Sequence, residues 1–194
     1  VYTDQNLSKR MLEIGAKDCK VISDKQVLTI GEKLRALLGP NRYKVVAIGP
    51  EAYNRMYSKN SNVNRILSWA HARAIENLLE GVPSCPRAVA DQFGAEWLIK
   101  SALMEKGRSI ILEQHHKAES DIAVAAASVI AREQFLIHLK KLSQDCGIEL
   151  PKGASQAVID AGKQYVEKYG TEALSKVAKL HFKTTQSVMQ QNLL

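Results

Sequence analysis

Apolar residues recur along this 194-residue chain with two periods, and their alternation predicts its elements. Leu7, Met11, Leu12 and Ile14 stand at helical spacing before Gly15, which predicts a short helix with a glycine stop. The polar stretch KDCK, 17–20, follows as a loop. Ser23 is placed to cap a long helix with apolar positions Val27, Ile30, Leu34, Leu37 and Leu38, ended by GPN. YKVVAIG, 43–49, is β-branched, bounded by turn residues, and the clearest strand in the pattern. PEAYNRMYSKNSNVN reads as an Asn-rich loop holding about one helical turn. A helix from about Asn62 to Leu79 turns Ile66, Trp69, Ala70, Ile75, Leu78 and Leu79 inward.

RAVADQF is the second predicted strand, AEWLIKSALMEKG a helix, and RSIILEQ, 108–114, the third strand. Strands alternating with helices in this way indicate an α/β fold whose sheet is covered on its faces. In the helix that follows, Ala123, Ala125, Ala126, Ala127 and Ser128 crowd the first turns, so its backbone can lie close to what it packs on. GIELPKGAS is a loop, and Ser155 caps a helix reaching about Tyr169. A short helix at 171–177, the segment KLHFKTT and a helical tail complete the chain. No internal repeat, low-complexity segment or linker divides it, so one domain is expected over 1–194.

Composition changes this picture little: 45% of residues are hydrophobic and 24% charged, ordinary for a globular protein. No apolar run approaches the length of a membrane span, and no secretory leader opens the chain. Cys19, Cys85 and Cys146 are widely spaced and odd in number, which suits a reducing cytoplasm better than a disulfide framework. Charge matters more. With 27 Lys+Arg against 20 Asp+Glu, the formal charge of +7 favours polyanions, nucleic acid among them. No GxGxxG or GxxxxGK[ST] follows a predicted strand, which argues against a nucleotide-binding enzyme. The chain starts at Val1, without Met, and its first residues read as the middle of something, so an upstream segment is expected.

Candidate chemistry centres on carboxylates. Asp91 ends the second strand and Glu119 follows the third, with Asp121 two residues later. Adjacent parallel strands deliver their C-terminal ends to one sheet edge, where open α/β folds place their sites. Clustered carboxylates repel unless a hard divalent cation such as Mg²⁺ or Mn²⁺ sits between them. The competing reading makes Asp91 a cap for the helix starting at Gly94, and Glu119 an acid serving a helix dipole. His115 and His116 lack a His or Cys partner at ligand spacing and read as loop residues.

Lys17 and Lys20 flank a polar loop and suit phosphates. In PKGAS, Lys152 brings charge, Gly153 permits close backbone approach, and Ser155 opens a helix, a combination suited to an anion. KLHFKTT groups Lys179, His181, Lys183 and Thr184. Asn62 and Asn64 suit either backbone contacts to nucleic acid or helix capping.

AKDCK, NVNRILSWAHARAIENLL, AVADQF, KAESDIAVAAASVIAREQFL, LPKGAS and VAKLHFKTT occur in an order that resembles bacterial ribonuclease HIII over essentially the whole chain. The sister family, ribonuclease HII, shares the small-residue helix but usually carries a Gly-Tyr motif where this chain reads LPKGAS. The resemblance implies a ribonuclease H-like fold and a metal-dependent endonuclease cutting the RNA strand of RNA–DNA hybrids. It also implies a two-metal site with Mg²⁺ or Mn²⁺ and a cytoplasmic protein, monomeric when full length, with no membrane partner. The family holds its metals with four acids. Asp91 matches the third, and Glu119, with Asp121 as the alternative, matches the fourth. The adjacent Asp-Glu pair of the first strand has no match here, nor has the family's substrate-binding domain resembling TATA-box-binding protein. Residues 1–194 alone are therefore expected to be an N-terminally incomplete catalytic domain without activity. Lys17, Cys19, Lys20, Asn62, Lys152, Gly153, Ser155, Lys179, His181, Lys183 and Thr184 are the expected nucleic-acid contacts. Cys19 stands where the family normally has Ser, and a thiol is the poorer partner for phosphate. The other readings are ribonuclease HII-type cleavage at embedded ribonucleotides and a non-catalytic nucleic-acid-binding module.

Overall fold

A parallel pair of strands, β1 (Arg87–Asp91) and β2 (Ile111–His115), forms the sheet of the computed structural model, in register from Arg87 opposite Ile111 to Asp91 opposite His115. The structure describes residues 1–17 and 19–190; Asp18 of the expected 17–20 loop and residues 191–194 of the expected tail lie outside it. Eight α-helices are described: α1 (Gln5–Ile14), α2 (Asp24–Leu38), α3 (Pro50–Asn60), α4 (Val63–Gly81), α5 (Trp97–Ala102), α6 (Ile122–Cys146), α7 (Gln156–Tyr169) and α8 (Lys183–Met189). Short 3₁₀ turns occupy Cys19–Val21, Gly107–Ser109, Ala118–Ser120 and Thr171–Lys176. The chain divides into two compact units, one of Val1–Val46 with Val63–Leu136, the other of Ala47–Asn62 with the chain from Ile137 onward.

Local chemistry sets the first helices. Asp4 caps α1 by accepting the Leu7 N–H, and Gly15 ends it with φ +97°, a conformation that glycine adopts without steric cost. Ser23 and Gln26 form a reciprocal capping box at the start of α2. In the first unit Met11, Val27, Leu34, Ala126 and Val129, from α1, α2 and α6, are completely buried together. Glu133 of α6 lies against Gly31 of α2. A Cβ on Gly31 would fall 2.7 Å from Glu133 Cδ. Glu133 is 1% exposed, and Arg35 satisfies it through two bonds, Nε to Oε2 at 2.9 Å and Nη2 to Oε1 at 2.8 Å.

A second core in the same unit joins Ala72 of α4, Ala90 of β1 and Ile99 of α5 with Leu103. Beside it the buried Glu76 carboxylate accepts the Lys106 and Gly107 N–H groups at 3.0 and 2.9 Å. Burial alone would raise its pKa, but those donors and Lys106 outweigh burial and lower it. In the second unit Tyr165, Val166, Leu174 and Val188 pack together, and a Cβ on Gly162 of α7 would meet Val188 Cγ2 at 2.6 Å.

Four expectations need correction. Residues 43–49 join no ladder among the described residues, because β propensity makes a strand only where a partner pairs with it. The expected loop after Gly49 is the eleven-residue α3. Pro50 starts it, Tyr53 and Tyr57 line one face, and Asn54 is pinned by the Ser175 and Ala178 carbonyls and the Leu180 N–H, contacts that override weak propensity. Trp69 faces solvent, with the Arg73 guanidinium 5.8 Å over its ring. The buried stripe of α4 runs instead through Ile66, Ser68, Ala72, Glu76 and Leu79, its polar members bonded at Asn64, Lys106 and Gly107. Finally, α6 is long and apolar enough by length and composition to cross a membrane, although its Ala125, Ala126, Val129 and Ile130 lie in the core.

The Gly31 contact gives the first prediction. Glu133 is locked in a bidentate pair and has no room to swing away, so Gly31→Ala in the full-length protein should destabilise it by about 2 kcal/mol. Urea unfolding should show a lower midpoint at unchanged slope; an unchanged midpoint would mean that α2 and α6 separate freely.

Candidate active site

The C-terminal end of β1 carries Asp91, and the turn after β2 carries Glu119, as parallel pairing requires. The Ala118 N–H donates to Asp91 Oδ1 at 3.2 Å, so Asp91 is bonded to the residue next to Glu119. The Gln92 N–H donates to the His115 carbonyl at 3.0 Å, extending the pairing one residue past Asp91. Asp91 does not cap the next helix: α5 begins at Trp97 after Glu96 and has no side-chain cap. Lys117, just before the turn, holds a positive φ of 58°.

Asp121 has a different job. Its Oδ1 accepts the N–H groups of Ala123 at 2.8 Å and Val124 at 3.3 Å, satisfying the open donors at the start of α6. Glu119 keeps a partly exposed carboxylate, paired with Lys20 at 3.3 Å. Arg132 of α6 shapes the loop that supplies this lysine. Its guanidinium bonds the Cys19 carbonyl, the Ile22 carbonyl at 3.3 Å and Asp24 Oδ1 at 2.6 Å. The structure therefore brings Lys20 to Glu119 and Glu119 to the neighbourhood of Asp91. Lys17 is exposed on the same loop, and the Cys19 side chain is half-buried against the first core.

Arg132 and His71 are the residues that the sequence pattern did not single out. The His71 ring lies 5.1 Å from that of Phe93, two residues after Asp91. Burial lowers the His71 pKa, and the charge of Asp91 acts the other way. A histidine on a helix carries no spacing signal; its neighbour is set by tertiary packing alone.

The remaining candidates belong to the second unit, Asn62 at its edge just before α4. Gly153 holds φ +93°, so the loop after Lys152 needs glycine there. Ser155 occupies the cap position of α7, without the expected side-chain cap bond. Lys183 and Thr184 open α8. His181 is sandwiched between Tyr57 and Phe182, each ring 4.1 Å away, with Tyr53 stacked at 5.5 Å. Burial, then Lys179, lowers its pKa, and burial lowers that of Lys179 as well. His181 is thus a ring packed among aromatic side chains rather than an open member of a polar run. Lys179 stands 4.5 Å over the Tyr53 ring.

Among the described residues no three His, Cys, Asp or Glu side chains group closely enough to hold a metal ion. Asp91 and Glu119 are hard oxygen donors of the right kind, two where a closed site needs more.

A family model described as ribonuclease HII matches residues 1–185. The chain belongs to the ribonuclease HII family. Curated relatives of this ribonuclease HII family chain are named ribonuclease HIII, which bears out the resemblance read from the motifs. The protein from Protochlamydia amoebophila is 38% identical over 189 residues, covering 97% of this chain and 62% of the relative. That from Chlamydia abortus is 40% identical over 182 residues, covering 93% and 60%. The chain thus spans about three fifths of the length of these relatives. The crystal structure of Bst-RNase HIII in complex with Mn²⁺ superposes with a TM-score of 0.87 at 25% identity, covering 98% of this chain and 62% of that one. Ribonuclease H2 from Pyrococcus horikoshii, at 20% identity and a TM-score of 0.73, shares the fold, covering 97% and 86%. The expected ribonuclease H-like arrangement of helices about a central sheet is borne out.

The two acids after β2 should separate by substitution. Asn caps helices as well as Asp, so Asp121→Asn should leave stability nearly unchanged, whereas Asp121→Ala should cost about 1 kcal/mol. Thermal melts of the two full-length variants check this; equal losses would remove the capping role.

Proposed function

We propose that this chain is the catalytic part of a metal-dependent endoribonuclease acting on the RNA strand of RNA–DNA hybrids. The observation that carries the reading is the Asp91–Ala118 bond, which holds Asp91, at the C-terminal end of paired parallel strands, against the turn that carries Glu119. The relatives named ribonuclease HIII support the substrate class over ribonuclease HII-type cleavage at embedded ribonucleotides. The Mn²⁺ complex of a structural neighbour supports a divalent cation, Mg²⁺ or Mn²⁺. In this reading the remaining length of the relatives corresponds to further metal ligands and a substrate-binding domain. Three free thiols and the basic charge suit a cytoplasmic protein that meets nucleic acid.

Asp91 and Glu119 would hold the cation, with Asp121 retained for α6. The chemistry such an ion supplies when bound is activation of water and neutralisation of charge at the phosphodiester. The protein's own part is placement. The Ala118 N–H orients Asp91, Lys20 compensates Glu119, and Arg132 fixes the loop that presents Lys20. Lys152 and Lys183 of the second unit contribute sequence-independent attraction to phosphates, as do Lys179 and the helix start at Ser155 in that unit and, in the first unit, Lys17.

In the full-length protein, Asp91→Asn should lower hybrid cleavage at least a hundredfold while leaving hybrid affinity within severalfold. Glu119→Gln should act in the same direction and Asp121→Asn should not. Cleavage of a uniform hybrid and of a duplex with one embedded ribonucleotide, with and without chelator, checks both the role and the substrate. Near-normal turnover by Asp91→Asn would overturn the reading.

Phosphate contacts leave another signature. Lys152→Ala or Lys183→Ala should weaken binding to any hybrid sequence and make the log–log salt slope shallower by about one unit. An unchanged slope in filter binding across a salt series would place that lysine away from the backbone.

A further inference from the structure

One ring of the second unit serves neither its core nor its helix caps. Phe182 stands at the cap position before α8, with an extended backbone and no side-chain cap bond. Ser, Thr, Asp or Asn would stabilise the helix there, and an apolar side chain forfeits that bond. Burial does not account for the residue either, since it is 49% exposed. A local rule broken without a gain in stability marks a place to look for function.

The fold gives this ring a rigid mount. The His181 ring lies 4.1 Å from that of Phe182, and Tyr57 and Tyr53 stack on His181 in turn. Among the described residues, the buried Tyr53 hydroxyl and His181 Nδ1 have no hydrogen-bond partner. Unpaired buried polar atoms cost stability, so what these rings contribute is their stacking faces. The turn beneath Phe182 is pinned as well. Thr185 Oγ1 and the Phe182 N–H donate to the Lys179 carbonyl at 3.2 and 3.4 Å, and the Leu180 N–H donates to Asn54 Oδ1 at 3.0 Å. A ring held in this way loses little conformational entropy when a ligand stacks on it.

The surrounding charge has one sign. Residues 173–190 include Lys176, Lys179 and Lys183 and no Asp or Glu. An exposed aromatic ring among lysines is the combination that holds single-stranded nucleic acid, the cations meeting phosphates while a base stacks on the ring. In a duplex the base faces are covered by their neighbours. A base free to meet Phe182 therefore belongs to an unpaired strand.

We propose that Phe182 is a stacking site for an unpaired nucleobase, through which this unit binds the single strand flanking a hybrid. This rests on the nucleic-acid reading above and on none of its metal ligands. The test uses the full-length protein and the variants Phe182→Leu and Phe182→Trp. Its probes are a blunt RNA–DNA hybrid and the same hybrid with a thymidine overhang holding one fluorescent adenine analogue. Affinity for each is measured by titration across a salt series, with Tm measured alongside.

The wild-type protein should bind the overhang hybrid about tenfold more tightly than the blunt one, the gain expected from one stacked base, and should quench the analogue. Leucine keeps apolar bulk but removes the aromatic face. Phe182→Leu should reduce that advantage to less than about twofold and abolish the quenching, with Tm and salt slope unchanged. Phe182→Trp should restore both advantage and quenching. An advantage that survives in Phe182→Leu overturns the proposal. Loss of both the advantage and Tm in the Leu and Trp variants alike also overturns it and makes the ring a packing element. If the wild-type protein binds neither hybrid, the nucleic-acid reading fails and this inference with it. If it binds and cuts the blunt hybrid but gains nothing from the overhang, only the inference fails.

Discussion

The close approach of α2 and α6, made possible by Gly31, is the constraint from which the candidate site is built in the first unit. With no side chain at 31, Glu133 lies against the α2 backbone, and Arg35 compensates its charge in a two-bond geometry. A buried carboxylate without such a partner would cost several kcal/mol, so the pair fixes one register between the helices rather than a range of them. The neighbouring residue, Arg132, then reaches the loop before α2, where it gathers the Cys19 and Ile22 carbonyls and Asp24. That loop carries Lys20, whose ammonium meets Glu119. Packing between two helices is in this way converted into the position of one cation beside one carboxylate.

The same arrangement explains how the site tolerates Cys19. The Arg132 guanidinium takes the backbone carbonyl of residue 19, which any side chain leaves available, and also meets the Cys19 side chain. The thiol rests against the apolar margin of the core, a setting that suits sulfur better than a hydroxyl. The loop's geometry is held by Arg132, and its charge is carried by Lys17 and Lys20.

Much of the site was legible because its signals are local. Asp91 follows an apolar run and Glu119 follows another, so parallel pairing alone predicts that they meet at one edge. Helix ends were legible for the same reason, through Ser23, Gly15 and Ser155. What could not be read depended on distant partners. Residues 43–49 have every property of a strand except a described neighbour to pair with. The residues 50–60 look like a loop by composition, yet Asn54 spends its polarity on carbonyls more than a hundred residues away and the tyrosines stack on His181. Trp69 was placed inward by hydrophobicity, while the backbone amides of Lys106 and Gly107 turned Glu76 inward instead.

Between Glu119 and Asp121, hydrogen-bond accounting supplies a distinction that spacing leaves open. Both acids follow β2, and both are compatible with the family pattern. A helix of 25 residues begins directly after Asp121, and its first N–H groups need acceptors. Asp121 is the residue whose backbone stands outside the helix while its side chain reaches back to Ala123 and Val124. A carboxylate committed to two amides has lost much of its freedom to turn toward a cation. Glu119, one 3₁₀ turn earlier, makes its ion pair with a flexible and exposed lysine, an interaction of modest worth that a stronger cation can displace. The longer side chain on the less regular turn thus keeps the freedom that our proposed ligand needs, and the shorter one on the helix end holds the scaffold.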